Sequence, residues 1–555
     1  MKTLSFLFGI SWLLISTAVE AQISAGGQPV STLLGITTPV PVQALPTPNR
    51  QVIQMEDERR AARGDLERFG KIIPVDISIA NFGVAQQLPD NGVLWRVQLK
   101  APNALATNLY FDQFDLAPGA LLFVYNNDQS IVLGAFTSDN NHPSGTFATG
   151  ILHGSTCWIE LYEPAEVTGQ SQLHINEMGY AYRHIRSAAA RDFGDGDPCE
   201  VNVNCEEGNN YQDIKRAVTR ILVKAGQDQG WCTGSLVNTV PGDCKPYILT
   251  ADHCTDFTTP ADILQWIFYF NYESPDCDNP AEEGNLGAQS ITGATTLAFS
   301  DDNGGDSGSD FHLLELESTI PESYQAFSAG WDRIDVGQPL GVCIHHPDGD
   351  IKKISTFTTP AISESWAGTV MDTHWEIDWA TTTNGTGVTE GGSSGSPLLS
   401  NTGRIVGTLT GGGSSCADPV GDDLYGKFGY HWAGNGSTPD KRLMDWLDPD
   451  NTGTMTIAGK ECGLVGIGEQ SPTASMQVFP NPTSGSVKLQ VPASLRAEAG
   501  QVAIYNPQGQ LLKVLPIPPG STTSTLDLDF LADGLYFITL QLPSATQTFP
   551  VALVR

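Results

Sequence analysis

A chain of 555 residues is too long for one hydrophobic core, so several domains are expected. Its 29 Lys plus Arg stand against 62 Asp plus Glu, a net charge of −33; with no basic patch in view, nucleic acid is excluded as a partner, while cationic peptides remain compatible. The N-terminal "MKTLSFLFGISWLLISTAVEA" has a lysine, an interrupted apolar run and small residues at Val19 and Ala21, which reads as a secretory signal peptide over 1–21. The ten cysteines of an exported chain then point to disulfides.

From Gln22 to about Asn49 the sequence is rich in Pro, Thr and Gly without a period, so poor order is expected there. From about Lys71 to His184, runs such as "GVLWRVQLKA", "ALLFVYN" and "CWIELYEP" alternate apolar and polar residues between turn-forming clusters and predict a β-rich domain. "RHIRSAAARDFGDGDPC" has the composition of an exposed, cleavable connector. A long Gly-rich β section follows, ending in an amphipathic helix candidate, "STPDKRLMDWLDP", with Ser437 or Thr438 as cap and Pro449 as stop. After Gly463, "MQVFPNPTSGSVKLQV", "VAIYNPQGQLLKVLPI" and "GLYFITLQL" predict a separate small β-sandwich.

Two serines compete for one chemistry. "GDSGSDFHLLEL" holds the Gly-Asp-Ser-Gly string that usually surrounds the nucleophile of a two-barrel serine protease, whereas "EGGSSGSPLLS" holds a degraded version of it. Such enzymes carry histidine, aspartate and serine in that chain order. The histidine is His253, in "YILTADHC", where Cys232 and Cys254 can staple the strand pair that presents it. Asp310, at the start of an apolar strand in "SDFHLLEL", suits the buried carboxylate that orients the imidazole. Ser307 precedes Asp310 almost directly and leaves no chain for a second barrel, so Ser394 is the expected nucleophile. Gly392 can adopt the backbone angles that aim its N–H, with that of Ser394, at an oxyanion. The Gly-rich strand after it, through Thr410 and Gly412, can form the wall of a substrate pocket.

"CTGSLVN", "FYFNYES", "GSDFHLLELE", "AGWDR", "IHHP", "GVTEGGSSGSPL" and "LTGGGSSC…DDLYGKFGYHW", in this order over about Cys199 to Asp450, resemble the secreted lysyl endopeptidases of the chymotrypsin clan. The resemblance implies an all-β protein: a chymotrypsin-like double β-barrel behind a β-rich propeptide, with the triad His253, Asp310 and Ser394. The expected division is propeptide 22–191, protease domain 192–465, linker 466–474 and C-terminal β-sandwich 475–555. In trypsin-like enzymes the acid that reads a basic side chain lies six residues before the nucleophile, and Val388 stands there. The resemblance instead nominates Asp423, from "DDLYG", to pair with a substrate Lys or Arg; a one-residue shift would nominate Asp422. It also implies the disulfides Cys199–Cys416, Cys205–Cys277 and Cys232–Cys254. Cys244 and Cys343 are then left within the domain as an expected pair. Cys157 and Cys462 remain, either tethering the propeptide or unpaired.

Three departures matter. Ser393 replaces the Asp that pairs with the freed N-terminus in chymotrypsin, so activation should not depend on that ion pair. Thr410 stands where the lysyl endopeptidases have a His that partners a Trp, matched here by Trp366. There is no lysine between Lys100 and Lys215, and the connector offers only Arg183, Arg186 and Arg191 for processing. "VFPNPTSG", "VAIYNPQGQLL" and "LADGLYFITLQ" are similar to the sorting domains of type IX secretion cargo, which implies outer-membrane secretion machinery as a partner and a secreted or surface-attached product. No metal or other cofactor is expected: His345 and His346 are adjacent on a strand and face opposite ways, and "DPDNTG" from Asp448 lacks the closing Glu of a calcium loop.

Overall fold

The computed structural model describes residues 24–555 apart from 62–66, 80–82, 184–195, 281–286, 288, 463–476, 480–482, 491–499, 507–510, 519–522, 533, 543–544 and 554. The signal peptide, the connector residues Arg186 and Arg191, the linker 466–474 and the Pro-Asn-Pro of the tail lie outside the described residues. The chain divides into two compact units, Met1–Leu464 and Val465–Arg555.

The first unit opens with a β domain of two sheets. Val93–Lys100, Thr156–Glu163 and Leu121–Asn126 form the middle of one, and Arg68–Ser78, Gln172–Ala181 and Ala106–Asp115 that of the other. Their alternating side chains put Leu99, Leu109, Phe111, Leu122, Val124 and Ile159 into a shared core. The segment expected to lack order is instead tied to this domain. Val42–Ala44 pairs in parallel with Gln98–Lys100, the Ser31 N–H donates to Glu160 Oε1 (2.9 Å), and Leu45 is buried. Asn49 then caps the helix Arg50–Ala61, its Oδ1 accepting the N–H of Gln51 at 3.0 Å. A Pro/Thr-rich composition prevents regular repeats but not docking onto a ready-made sheet edge.

Two further antiparallel sheets follow. The first runs Ser290–Thr292, Ile267–Tyr269, Val218–Ala225, Asp228–Leu236, Tyr247–Thr250, His312–Leu316, Ala294–Phe299. The second runs Lys353–Phe357, Gly341–His345, Pro397–Ser400, Ile405–Gly411, Asp423–Lys427, His374–Ile377, Ile362–Glu364. The strand Arg68–Ser78 of the preceding domain pairs with Asp228–Gly230, so its sheet and the first barrel's sheet are continuous. Arg68 anchors that junction, donating to Asp57 (2.7 Å), Asp228 (2.6 Å) and Glu56 (2.8 Å).

The expected amphipathic helix is broken. Arg442, at φ −156°, is extended and separates the turn Pro439–Lys441 from a single helical turn, Met444–Leu447; the longer helical piece is Phe428–Ala433.

Cys199–Cys416, Cys205–Cys277 and Cys232–Cys254 are bonded. The Cys244–Cys343 pair is not formed: Cys244 bonds Cys462, and Cys343 and Cys157 are free and buried. Cys343 lies in the core of the second barrel beside Leu398 and Tyr425, its Sγ 3.2 Å from Ser396 Oγ. Cys462 instead comes back to the first barrel, because Lys460–Glu461 pairs with Phe327–Ser328. The second unit is a two-sheet sandwich of three and four strands over Val487, Leu489, Val502, Ile504, Leu526, Ile538 and Val551.

Candidate active site

The pairing of Tyr247–Thr250 with His312–Leu316, with Thr250 opposite His312, brings two loops together. His253 lies in the turn after the first strand, stapled by Cys254 to Cys232; Asp310 lies just before the second. Asp310 is fully buried and sits at φ +56°, a left-handed conformation that a non-glycine residue holds only with help. The help is Asp302, which accepts the Asp310 N–H at 2.8 Å. Asp310 in turn accepts the His253 backbone N–H on Oδ1 (2.9 Å) and His253 Nδ1 on Oδ2 (2.7 Å). Burial works against a charged imidazole, yet the Asp310 charge and hydrogen bond outweigh it and raise the His253 pKa. Burial likewise pushes Asp310 up, but the His253 charge and the hydrogen bonds it accepts hold its pKa below the ordinary value.

Ser394 belongs to the loop Glu390–Ser396, which is sewn onto the first barrel by its carbonyls. Thr233 donates its N–H to Ser394 O (2.8 Å) and its hydroxyl to Gly392 O (2.9 Å). Gly395 has φ +79°, and a Cβ there would lie 2.2 Å from Thr250 Oγ1, so only glycine lets the loop approach the His253 strand. Gly392 has φ +90°. Among the described residues, the N–H groups of Gly392 and Ser394 donate to no protein acceptor, and Ser394 Oγ makes no hydrogen bond to His253 Nε2. Ser393 is spent structurally: its Oγ lies 2.8 Å from Nδ1 of His345, whose Nε2 meets Ser355. Burial, followed by the Lys353 charge, takes the His345 pKa down to about 3, so it is a neutral partner.

Ser307 is exposed, and its loop has another use. Gly304 packs against the His253 Cβ, and Gly305 against His374 and Trp366. The literal Gly-Asp-Ser-Gly string thus backs the imidazoles instead of attacking from beside them.

Ser394, Gly392, Gly391, Thr389, Gly412 and Ser414 line a cavity of about 630 Å³. Glu67, Arg68, Phe69 and Arg183 of the N-terminal domain line the same cavity. Asp423 lies behind its wall, fully buried, at the start of the strand Asp423–Lys427, whereas Asp422 is exposed. A Cβ on Gly412 would lie 2.0 Å from Asp423 Oδ1, so the glycine is what admits the carboxylate there. Oδ2 accepts Trp379 Nε1 (2.6 Å), Thr389 Oγ1 (2.6 Å) and Ser414 Oγ (2.7 Å), while Oδ1 accepts the Ser414 N–H (3.2 Å). Burial nevertheless raises the Asp423 pKa despite these donors.

The structure adds groups that sequence reasoning missed: Asp302, Trp379, Thr389, Ser414 and two buried histidines. Thr408 and Thr410, on the same face of Ile405–Gly411, each meet one imidazole: Thr408 Oγ1 lies 2.9 Å from His431 Nε2, and Thr410 Oγ1 lies 3.0 Å from His374 Nε2. The Thr-x-Thr spacing was the available signal.

Residues 193–426 match the family model described as "Lysyl endopeptidase, C-terminal domain", and residues 477–549 match "Secretion system C-terminal sorting domain". A curated relative, a lysyl endopeptidase of Pseudomonas aeruginosa, is 31% identical over 282 residues, which cover 49% of this chain and 58% of the relative. The chain therefore spans somewhat over half the length of that relative. Among solved structures, the thermostable serine protease AL20 from an extremophilic microorganism is 16% identical with a TM-score of 0.27, over 38% of this chain and 91% of that one. The serine endoprotease from Yersinia pestis is 13% identical with a TM-score of 0.28, over 63% of this chain and 97% of that one. Residues 193–426 are thus similar to the C-terminal domain of lysyl endopeptidases, and residues 477–549 to a secretion-system sorting domain.

Proposed function

We propose that this chain is the precursor of an exported serine endopeptidase that cuts after lysine, and less readily after arginine. The observation that carries the reading is the buried Asp310 carboxylate on His253 Nδ1, beside a loop that offers Ser394 and two unspent N–H groups. Ser394 Oγ attacks the scissile carbonyl while His253 Nε2 takes its proton. The N–H groups of Gly392 and Ser394 stabilise the oxyanion, and His253 then passes the proton to the leaving amine. Water, activated by the same imidazole, releases the acyl group from Ser394. Asp310 keeps the Nδ1–H tautomer and offsets the imidazolium charge. The missing Ser394–His253 hydrogen bond fits a site without substrate, since such contacts often tighten only in the substrate complex.

Asp423 supports the preference for lysine. Three donors occupy its Oδ2 and one its Oδ1, which leaves room for a compact ammonium better than for the two-pronged guanidinium fork. An enzyme with that preference cleaves its own Arg-only connector poorly, so maturation falls to another protease. Until then the N-terminal domain, with Glu67, Arg68, Phe69 and Arg183 in the cavity, keeps the site occupied. The sorting domain supports export through the outer-membrane secretion machinery and release or attachment at the surface.

The test is cleavage of paired peptides that differ only by Lys or Arg at the cut position, using processed protein with Ser394→Ala as control. Faster cleavage of the Lys peptide is expected. Equal rates would overturn the reading of Asp423, and no cleavage of either would overturn the enzyme.

A further inference from the structure

We infer that His374 is a positioning residue for the triad and acts through Thr410; the inference rests on the serine-endopeptidase reading above. The Thr410 hydroxyl faces the Asp310 carboxylate on one side, where its proton helps to hold the carboxylate's pKa down, and lies 3.0 Å from His374 Nε2 on the other. A hydroxyl has one proton. A carboxylate can only accept it, so the Thr410 oxygen must receive its second bond from His374 Nε2–H. That tautomer leaves His374 Nδ1 as an acceptor, and Thr373 Oγ1 stands 2.7 Å from it. The polar chain therefore has one direction: Thr373 to His374, His374 to Thr410, Thr410 to Asp310.

The surroundings hold the imidazole in this role. Trp366 packs against it with ring centroids 6.3 Å apart, and a Cβ on Gly305 would lie 3.3 Å from both His374 Nε2 and Trp366 Cδ1. Burial outweighs the pull of Asp310 and takes the His374 pKa down to about 4, so the ring is neutral with a single N–H to give. Further along the same strand face, His431 bridges Thr408 and Ser309 instead. The charged and titratable groups that face this chain are Asp310, Asp302, His431 and Lys427, with Asp252 and Asp256 near His253. Fixing the Thr410 proton on Asp310 pins the carboxylate and limits its basicity, and so sets how tightly it holds the His253 proton.

The test uses Thr410→Val, Thr410→Ser and His374→Phe in the full chain, following the downfield His253 Nδ1–H proton resonance through a pH titration. The pH profile of kcat/KM is measured on the processed proteins. Thr410→Val leaves Asp310 more basic, so His253 should titrate at higher pH and kcat/KM fall about tenfold on the acid side, with KM little changed. His374→Phe, which keeps a ring against Trp366, should move both the same way by less, and Thr410→Ser should restore the wild-type titration. Should the valine variant fail to fold, the phenylalanine variant carries the test. An active wild type whose His253 titration is unmoved by either substitution would overturn the inference alone. A wild type that neither hydrolyses peptides nor labels at Ser394 would overturn the enzyme reading and this inference with it.

Discussion

The loops Asp302–Asp310 and Glu390–Ser396 are built from nearly the same small residues, and they are tied down in different ways. In the first, four N–H groups are tied down: Gly305 and Asp310 donate to the Asp302 carboxylate, Ser307 to the Asp302 carbonyl, and Ser309 to Asn435. In the second, the carbonyls are consumed: Gly391 O accepts Asp348 N–H, and Gly392 O and Ser394 O accept Thr233. The second loop presents the unspent N–H groups of Gly392 and Ser394 at the cavity, where an oxyanion would lie. The reading of Ser394 as nucleophile rests on the setting of its loop, against Thr233 and the cavity, and the string Gly-Asp-Ser-Gly does not encode that.

The comparison can be broken most sharply at the serines. Ser394→Ala should cost about 10⁶-fold in kcat. Hydrolysis that survived it would move the chemistry elsewhere. Asp310→Asn should cost about 10⁴-fold by favouring the wrong His253 tautomer, measured as kcat near neutral pH. Gly395→Ala tests the fit of the second loop, since the new methyl has no room against Thr250 and Thr233; a loss of about 4 kcal/mol in unfolding free energy is expected by denaturant titration. Breaking Cys244–Cys462 with Cys462→Ser should cost less, about 3 kcal/mol as is typical of a native disulfide, and leave kcat unaltered. Ser307→Ala, at an exposed side chain, should change kcat by less than about twofold, within the spread of surface substitutions.

Much of the proposed site could be named before any coordinates. His253 and Asp310 stand at the ends of strongly apolar strands, where pattern and cysteine spacing speak clearly, and Ser394 followed from chain order. Asp423 was nominated in the sequence with Asp422 one register step away; burial separates them, because Gly412 makes room for one carboxylate only. The Cys244–Cys343 expectation failed because elimination within a domain cannot see the chain return at Lys460–Glu461 to the first barrel. The order of residues 24–49 was hidden for a similar reason, since their partners are Glu160, Ala135 and the strand Val93–Lys100, far away in sequence. His374 and His431 were passed over because neither has a motif of its own. Each acquires meaning only through a threonine on another strand.

The most direct measurement is to treat processed protein with an organophosphonate fluoride and map the modified residue by mass spectrometry. The account predicts one adduct, on Ser394, lost in His253→Ala. An adduct on Ser307, or none on an otherwise folded protein, would contradict it.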